Sequence, residues 1–307
     1  MSFFIDSTIK DVGPWMEAFR VRDPAIKIYR EGDKVPLDQI TTAVVWNHRP
    51  GLFLKFPNLK LIASMGAGVD HILSDPSIPS SVIITRIVSD TLSGPMSNFC
   101  IGAVLYHQRQ FDKYLSDKVQ KIWHQELNPE LGMNIGIMGL GALGMDLANK
   151  LNSLGFNVFG YSKSKKEIPD VVSFTSDQLQ DFLNEINVLV VMLPATPETK
   201  AILSKPLFAQ MKRGTYLINV ARGHHQVDQD IIDAIEDGQL SGAFLDVFPK
   251  EPLSADSPLW AHPKVMITPH IAVVTKIEAA VPQIISAHYR VLEGELPEIV
   301  VDKLKGY

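Results

Sequence analysis

Short runs of β-forming residues alternate with helix-patterned segments in two separate series along this chain. The first series reads FFI, GPWMEAFR, AIKIY, TAVVW, LKLIASM and VIIT, and the second begins at MNIGIMG and ends at KVMITP. Strands separated by helices favour parallel sheets that are covered on both faces. The alternation therefore predicts an α/β fold with two parallel-sheet domains of Rossmann-like or flavodoxin-like type.

The segment between the two series is apolar-periodic and predicts a bridging helix from about Pro95 to about Val119. A second helix is predicted near the C-terminus, from about Ala272 to Leu292. A chain of 307 residues with 46% hydrophobic residues has enough apolar material for two cores. We predict a substrate-binding (catalytic) domain of residues 1–101 plus 271–307 and a dinucleotide-binding Rossmann domain of residues 102–270. The active site is expected in the cleft between these domains.

The composition limits the partners that we expect. With 29 Lys and Arg against 34 Asp and Glu, the net charge is −5, whereas nucleic-acid binding usually leaves a basic footprint. The single cysteine, Cys100, lies in the apolar run NFCIGAVL and is interpreted as a buried small hydrophobe. No apolar run reaches the roughly 20 residues of a membrane span, and the first residues do not resemble a signal peptide. We expect a cytoplasmic protein with small-molecule ligands and no nucleic-acid or membrane partner.

Gly139, Gly141 and Gly144 form a G-x-G-x-x-G pattern between a predicted strand and a predicted helix. In such a turn the first glycine allows a tight bend and the second lets the backbone approach a pyrophosphate. The third lets the helix pack closely on the strand, and the helix N-terminus presents free N–H groups to the anion. The context favours a dinucleotide site over the alternative, a plain turn with incidental glycines.

The end of the next predicted strand, NVFGYS, indicates which dinucleotide binds. An NAD site would place Asp or Glu there, about 20 residues after the glycines, to hold the ribose 2′-hydroxyl. This chain has Ser162 instead, followed by Lys163, Lys165 and Lys166. No carboxylate would repel a 2′-phosphate, and the lysines would attract one. We predict NADP, with NADPH preferred over NADH; the alternative is a solvated loop whose lysines bind nothing specific.

Three short motifs each contain one chemically useful side chain: Arg222 in NVARGHHQVD, Glu251 in LDVFPKEP and His270 in ITPH. An arginine holds a carboxylate through two hydrogen bonds, and an imidazole gives or takes one proton near neutral pH. A carboxylate can orient that imidazole. Together the three meet the needs of carbonyl reduction on a small acid. Each alone is commonly a surface residue, so the hypothesis depends on all three.

The motifs taken together resemble the D-isomer-specific 2-hydroxyacid dehydrogenase family over nearly the whole chain. The resemblance rests on the glycine turn and on SMGAGVDHIL (64–73), LPATPET (193–199), INVARG (218–223), GAFLDVFPKEPL (242–253) and SPLWAHPKVMITPHIA (257–272). Within the family, the sequences of these motifs are similar to those of the bacterial NADPH-dependent glyoxylate/hydroxypyruvate reductases of type A. The resemblance implies an oxidoreductase that reduces glyoxylate to glycolate, or hydroxypyruvate to D-glycerate, with NADPH.

The resemblance also implies roles for the three side chains. Arg222 would hold the substrate carboxylate and polarise the keto oxygen. His270 would donate a proton to that oxygen as hydride arrives. Glu251 would accept a hydrogen bond from the other imidazole nitrogen and favour the protonated ring. Formate dehydrogenase relatives have Gln at this position, which keeps the histidine from acting as an acid, so the glutamate separates this chain from them.

Further site residues follow from the same resemblance. The cofactor-binding residues would be Gly139, Gly141, Ala142, Leu143, Gly144, Ser162, Lys163, Lys165, Leu193, Pro194, Val220, Ala221 and Asp246. Among them, Leu193 and Pro194 would line the adenosine side and Asp246 would receive the nicotinamide carboxamide. The substrate-binding residues would be Trp46, Ala67, Gly68, Val69 and Arg222. Alternatively, MGAGVD is a plain βα turn and Trp46 belongs to an interdomain core.

Other features leave alternatives open. His224 and His225 lack carboxylate or cysteine partners at ligand spacing, so no metal is predicted. Asn98 stands where many family members have Glu, and no role is transferred to it. The resemblance implies a homodimer, formed through the long helix of the cofactor domain. A D-2-hydroxyacid dehydrogenase of broader specificity and a non-catalytic dinucleotide-sensing regulator are the alternative functions.

Overall fold

The chain divides into two compact units in the computed structural model, which describes residues 2–127, 130 and 132–306. Unit 1 comprises Met1–Leu92 and Thr275–Tyr307, and unit 2 comprises Ser93–Val274. Unit 2 is thus inserted into unit 1. Within the described ranges, no helix has both the length and the apolar character needed to cross a membrane.

Strands and helices alternate in both units. In chain order the elements are β1 (Ser2–Ser7), α1 (Gly13–Arg22), β2 (Lys27–Tyr29), β3 (Ile40–Trp46), β4 (Leu61–Ser64), α2 (Asp70–Leu73), β5 (Ile83–Thr85), α3 (Asp90–Gln108), α4 (Phe111–Gln120), β6 (Asn134–Met138), α5 (Ala142–Ser153), β7 (Asn157–Tyr161), β8 (Val171–Phe174), α6 (Leu179–Glu185), β9 (Val188–Val191), α7 (Lys205–Phe208), β10 (Thr215–Asn219), α8 (Asp228–Glu236), β11 (Leu240–Leu245), β12 (Val265–Ile267) and α9 (Ile277–Glu293).

The sheet of unit 1 is parallel and has the strand order β2-β1-β3-β4-β5, which is the flavodoxin-like order. One face packs on a core that contains Phe53 and Ile62. On the other face Leu61 packs with Ala287 and Val291 of α9. Because both faces are covered, the strands are continuous apolar runs rather than alternating ones.

The sheet of unit 2 is also parallel, with the order β12-β11-β10-β9-β6-β7-β8. The order reverses between β6 and β9, which is where ligands bind in doubly wound sheets. Phe182 and Leu217 belong to the core on one face, and Val104 and Ile218 to the core on the other. Cys100 is fully buried in the second core, as predicted, and burial followed by the charge of Asp246 raises the pKa of its thiol. The predicted pair of parallel-sheet domains is confirmed.

The bridging helix differs from its prediction. Instead of one helix from about Pro95 to Val119, the structure has α3 and α4, separated at Gln110, which has a left-handed φ of +54°. The first helix also begins earlier, because the Ser89 hydroxyl accepts a hydrogen bond from the Thr91 amide at 3.1 Å and caps its N-terminus. The predicted single helix is therefore wrong in both its start and its continuity.

Candidate active site

The glycine turn lies at the carboxyl end of β6, at the point where the strand order of unit 2 reverses. Gly139 has a φ of +116°, and a Cβ there would lie 2.6 Å from the carbonyl oxygen of Met192. A Cβ on Gly144 would overlap the carbonyl oxygen of Gly139. Both positions therefore require glycine, the first for its backbone conformation and the second for close packing of α5.

The N-terminus of α5 is open at this turn. Gly141 is its N-cap residue, and within the part of the chain that the structure describes no side chain caps it. A Cβ on Gly141 would meet no atom within 4 Å. Ala142 and Leu143 begin the helix, so their N–H groups lie in the first turn, where no intrahelical acceptor exists. Open space beside a helix N-terminus fits the pyrophosphate of a dinucleotide.

Ser162 follows β7, next to the glycine turn. The Gly139 amide donates to the carbonyl oxygen of Tyr161 at 2.9 Å, which fixes the two strand ends side by side. The Ser162 hydroxyl donates to the carbonyl oxygen of Ser164 at 2.7 Å, and the side chains of Lys163 and Lys165 are exposed. The end of β7 thus carries a hydroxyl and two cations where an NAD site would carry a carboxylate.

The Leu193–Pro194 segment follows β9, the other strand at the switch point. The Pro194 carbonyl oxygen accepts a hydrogen bond from the Thr199 hydroxyl at 2.8 Å and lies 3.2 Å from Nε2 of His225. His225 is fully buried, so its ring joins the turn after β10 to this segment. The sequence motifs gave no sign of this structural role. Within residues 2–127, 130 and 132–306, no three His, Cys, Asp or Glu side chains are grouped to hold a metal ion.

Arg222 lies in a turn after β10 that is held by buried amide groups. The Asn219 Nδ2 donates to Oε1 of Gln226 at 2.7 Å and to the carbonyl oxygen of Arg222 at 3.3 Å. The Asn219 Oδ1 accepts the Ala221 amide at 3.2 Å. Val220 and Ala221 are buried, and Arg222 is half-buried with its Nη1 donating to the Ala221 carbonyl oxygen at 2.8 Å.

Glu251 and His270 form a hydrogen-bonded pair in unit 2. The His270 Nδ1 lies 2.7 Å from Oε2 of Glu251, and the Phe248 amide donates to Oε1 at 3.0 Å. Gly223, the residue after Arg222, packs so closely on Phe248 that a Cβ would overlap the Phe248 carbonyl group. The Phe248 backbone therefore contacts both the turn of Arg222 and the carboxylate of Glu251.

The electrostatics of this pair favour an ionised carboxylate. Burial raises the pKa of Glu251, but hydrogen bonds from His270 and the Phe248 amide, with the charges of His270 and Arg222, bring it below its ordinary value. The side chains of His270 and Glu251 are 35% and 36% exposed, so a ligand can reach them. An ionised carboxylate on Nδ1 is the arrangement that orients an imidazole for proton transfer at Nε2.

Asp246 follows β11 and is fully buried. Its Oδ1 accepts hydrogen bonds from the Thr268 hydroxyl at 2.6 Å and the Ile271 amide at 2.9 Å, and its Oδ2 accepts the Ala272 amide at 2.9 Å. These donors flank His270. The contact between Asp246 and a nicotinamide carboxamide stays a prediction, whereas its contacts with the His270 segment are part of the structure.

The MGAGVD turn in unit 1 combines bonded and open amide groups. The Ser64 hydroxyl donates to the Gly68 carbonyl oxygen at 2.7 Å and accepts the Gly66 amide at 3.2 Å. The amides of Ala67, Gly68 and Val69 donate no hydrogen bond to any residue that the structure describes. Consecutive unpaired N–H groups in a turn form an anion-binding concavity, which is more than a plain βα turn requires.

Trp46 ends β3 beside this turn and is half-buried. A Cβ on Gly66 would lie 2.6 Å from Cζ3 of the indole, so glycine is required where the ring packs. The His71 ring lies 4.7 Å from the indole between centroids, and the Lys10 Nζ lies 4.1 Å from its centre. These contacts fix the indole next to the candidate anion site of unit 1.

Comparison with known proteins establishes the family. The model of the D-isomer-specific 2-hydroxyacid dehydrogenase NAD-binding domain matches residues 101–272. The chain belongs to the D-isomer-specific 2-hydroxyacid dehydrogenase family. It is similar to the glyoxylate/hydroxypyruvate reductase A of Serratia proteamaculans, with 39% identity over 303 residues that cover 95% of this chain and 96% of that protein. The predicted family resemblance is confirmed.

Two solved structures of dehydrogenases in this family have the same fold over their full length. The NADPH-dependent glyoxylate/hydroxypyruvate reductase of Sinorhizobium meliloti, in complex with NADP and sulfate, has a TM-score of 0.93 and 36% identity, covering 100% of this chain and 99% of that one. A dehydrogenase of Xanthobacter autotrophicus Py2, in complex with NADPH and MES, has a TM-score of 0.94, 33% identity and the same coverage. The resemblance to A-type reductases is confirmed.

Proposed function

We propose that this protein is an NADPH-dependent reductase of small 2-oxoacids, which converts glyoxylate to glycolate and hydroxypyruvate to D-glycerate. The proposal rests on the His270–Glu251 pair, at 2.7 Å, in the same unit as Arg222 and the open glycine turn. The A-type reductase relatives support this substrate class. Relatives that bind NADP or NADPH support the cofactor.

The reaction needs one hydride and one proton, and the protein's own residues handle the proton. NADPH, when bound, supplies the hydride that reaches C2 of the oxoacid. Arg222 binds the substrate carboxylate with its planar guanidinium and stabilises the negative charge that develops on the keto oxygen. His270, protonated on both nitrogens, donates the Nε2 proton to that oxygen. Glu251 holds Nδ1 throughout and balances the charge of the imidazolium.

We assign the remaining predicted residues by unit. Unit 2 is proposed to bind NADPH, with Ser162, Lys163 and Lys165 holding the 2′-phosphate and the α5 N-terminus holding the pyrophosphate. Unit 1 is proposed to supply substrate-binding groups, namely the amides of Ala67, Gly68 and Val69 as an anion site. Trp46 is proposed to limit substrates to short chains, because its ring is held next to these amides.

We also infer a cytoplasmic homodimer. Large apolar side chains are exposed along the end of α3, along α4 and in the segment after it: Leu105, Phe111, Leu115, Val119, Ile122 and Trp123. Phe111, Leu115 and Val119 recur every four residues and therefore share one face of α4. An exposed apolar stripe of this kind is typical of a protein interface.

Steady-state kinetics with a panel of 2-oxoacids test the proposed activity. We expect NADPH oxidation with glyoxylate and hydroxypyruvate, and lower kcat/KM with bulkier oxoacids. Arg222→Lys should lower kcat/KM about a hundredfold, because a charge-assisted bidentate contact is worth about 3 kcal/mol. Arg20→Lys, at an exposed site on α1, is the matched control.

Three outcomes would contradict this assignment. Near wild-type turnover in Arg222→Lys would remove Arg222 from the site. No NADPH oxidation with any oxoacid of the panel would favour a dinucleotide-sensing regulator, and equal kcat/KM for short and bulky oxoacids would favour a dehydrogenase of broader specificity.

The cofactor proposal has its own test, the ratio of kcat/KM for NADPH to that for NADH. We expect wild type to prefer NADPH and Ser162→Asp to reduce or reverse the preference, because the new carboxylate would repel the 2′-phosphate. A wild-type preference for NADH would overturn the proposed role of Ser162 and the lysines.

A further inference from the structure

The backbone of His270 adopts an uncommon conformation. Its φ is +55°, in the left-handed region that residues with a side chain rarely occupy. Such a conformation is strained and persists only where surrounding contacts fix it. The position of the imidazole therefore depends on whatever holds this backbone.

The bonds that hold the His270 segment converge on Asp246. The Asp246 carbonyl oxygen accepts the His270 amide at 2.8 Å. Its carboxylate accepts the Thr268 hydroxyl at 2.6 Å and the Ile271 and Ala272 amides at 2.9 Å each. Asp246 is fully buried, so water does not compete for these bonds.

The segment after β11, residues 246–248, also holds Glu251, the hydrogen-bond partner of the imidazole. Two residues after Asp246, the Phe248 amide donates to Oε1 of Glu251 at 3.0 Å. Residues 246–248 thus fix the backbone of His270 at one end and the carboxylate of Glu251 at the other. The 2.7 Å contact between the His270 Nδ1 and the Glu251 Oε2 depends on both the position of the His270 backbone and the position of the Glu251 carboxylate.

We propose that Thr268 and Asp246 form a clamp that positions His270 for proton transfer, with Thr268 setting the orientation of the Asp246 carboxylate. Thr268 is thereby a positioning residue, since it acts on His270 through Asp246. The inference rests on the proposed reductase function. It adds a role for Asp246 that is distinct from a contact with the nicotinamide.

The role of Thr268 follows from the hydrogen bonds that each oxygen of the Asp246 carboxylate accepts. Oδ1 accepts from both the Thr268 hydroxyl and the Ile271 amide, while Oδ2 faces the Ala272 amide. A short hydroxyl-to-carboxylate bond is among the stronger hydrogen bonds in proteins, so it selects one rotation of the carboxylate. Without it, the carboxylate can turn away from the two amides and the His270 segment loosens.

Thr268→Val tests the clamp, because valine keeps the shape of threonine and removes only the hydroxyl. The backbone amide of Thr268 still donates to the Leu245 carbonyl oxygen at 3.0 Å, so the chain path is retained. Thr268→Ser keeps the hydroxyl and is the rescue variant. Thr215→Val is the matched control, since the Thr215 hydroxyl donates to the Lys212 carbonyl oxygen at 2.7 Å at the opposite end of the sheet.

We expect Thr268→Val to lower kcat for glyoxylate reduction about tenfold, the size of one lost hydrogen bond to a charged group, with KM and the NADPH Kd nearly unchanged. The decline of kcat with rising pH should begin at lower pH, since a looser Glu251 contact stabilises the imidazolium less. Thr268→Ser should recover most of the lost kcat, and Thr215→Val should show neither effect. An unchanged kcat and pH profile in Thr268→Val would overturn the proposal.

Amide hydrogen exchange provides a readout that does not depend on activity. The Ile271 and Ala272 amides should exchange faster in Thr268→Val and in Asp246→Asn than in wild type, while amides of β10 keep their rates. Unchanged protection at these two amides would refute the clamp even if the enzyme is active. If wild type reduces no oxoacid yet protection is lost as expected, the proposed function fails and the clamp stands.

Asp246→Asn separates the clamp from cofactor binding. A clamp predicts a lower kcat and a shifted pH profile, whether or not the NADPH Kd also weakens. A weaker NADPH Kd with unchanged kcat and pH profile would assign Asp246 to the nicotinamide alone and overturn its role in the clamp.

Discussion

Glu251 places a negative charge beside the imidazole of His270. Burial raises the pKa of the Glu251 carboxyl, but hydrogen bonds from His270 and the Phe248 amide, together with the charges of His270 and Arg222, hold it below its ordinary value. The carboxylate is therefore ionised at neutral pH, 2.7 Å from the imidazole. An adjacent negative charge favours imidazolium, which is the form that reduction consumes.

Glu251→Gln removes this charge and keeps a hydrogen-bond acceptor for Nδ1. We expect kcat for reduction at pH 7 to fall about tenfold or more, because a neutral amide cannot balance the positive charge of the ring that donates the proton. The activity should also decline at lower pH than in wild type, whereas oxidation of D-glycerate, which uses neutral imidazole, should suffer less. Full pH profiles in both directions measure this. Glu293→Gln, exposed at the end of α9, is the control, and coincident profiles of wild type and Glu251→Gln would contradict the prediction.

His288 controls stability rather than catalysis. It is buried on α9, with Nδ1 2.8 Å from the Thr42 hydroxyl and its ring 4.6 Å from that of Phe3. Burial lowers the pKa of His288 to about 4. The folded protein thus prefers neutral imidazole, so this contribution to stability is complete above pH about 6.5 and is lost as the pH falls towards 4.

Urea unfolding of wild type and His288→Gln at several pH values tests this. The free energy of unfolding of wild type should fall by up to about 3 kcal/mol from this residue between pH 6.5 and 4, at about 1.4 kcal/mol per pH unit. Glutamine can keep a polar contact with Thr42 but does not titrate, so the variant should show a flatter dependence. Parallel curves for the two proteins would rule out His288 as the source.

At the scale of elements, the contact between α5 and the glycine turn leaves no room for a side chain. A Cβ on Gly144 would overlap backbone, so Gly144→Ala should destabilise the fold by about 1–3 kcal/mol and weaken NADPH binding. Gly102→Ala is the matched control, because Gly102 lies within α3 and a Cβ there would meet no atom within 4 Å. Alanine at that position should stabilise by up to about 1 kcal/mol. Thermal unfolding and NADPH titration measure both, and an equally stable Gly144→Ala would contradict the packing.

The sequence predicted the strands and turns that depend on a pattern of neighbouring residues. Buried parallel strands read as apolar runs, and the spacing of Gly139, Gly141 and Gly144 located the turn between β6 and α5. Strand β8 has a weak local signal, because VVSF is a four-residue edge strand of partly exposed residues. The break at Gln110 was missed, since nothing in QRQFDK marks a left-handed residue.

The site was predictable to the extent that its chemistry is carried by residue type. Arg222, Glu251 and His270 were predicted from the functional groups that a reductase needs; the structure pairs the last two directly, and their catalytic roles stay predictions. The hydrogen bonds from Thr268, Ile271 and Ala272 to Asp246 could not be predicted. They join residues at least 22 positions apart through the pairing of β11 with β12, and no local pattern encodes them.

At the scale of the whole molecule, the α4 stripe predicts the oligomeric state. Val119 is 83% exposed and Leu115 is 53% exposed on one face of that helix. The double variant Leu115→Asp/Val119→Asp should convert a dimer to a monomer, because charges at an apolar interface lose their hydration. Light scattering after size-exclusion chromatography measures the mass. Val21→Asp, on exposed α1, is the control, and a wild-type monomer would exclude the interface.

The insertion of unit 2 into unit 1 also sets the order in which the parts can mature during synthesis. Leu61 is translated before unit 2, whereas Ala287 and Val291, which pack against it on one face of the sheet, are translated only after all of unit 2. Unit 2 is contiguous and its cores are complete before α9 is made. While unit 2 is being synthesised, the part of this face around Leu61 therefore lacks its α9 cover, and this is a stage at which aggregation competes with folding and chaperones act.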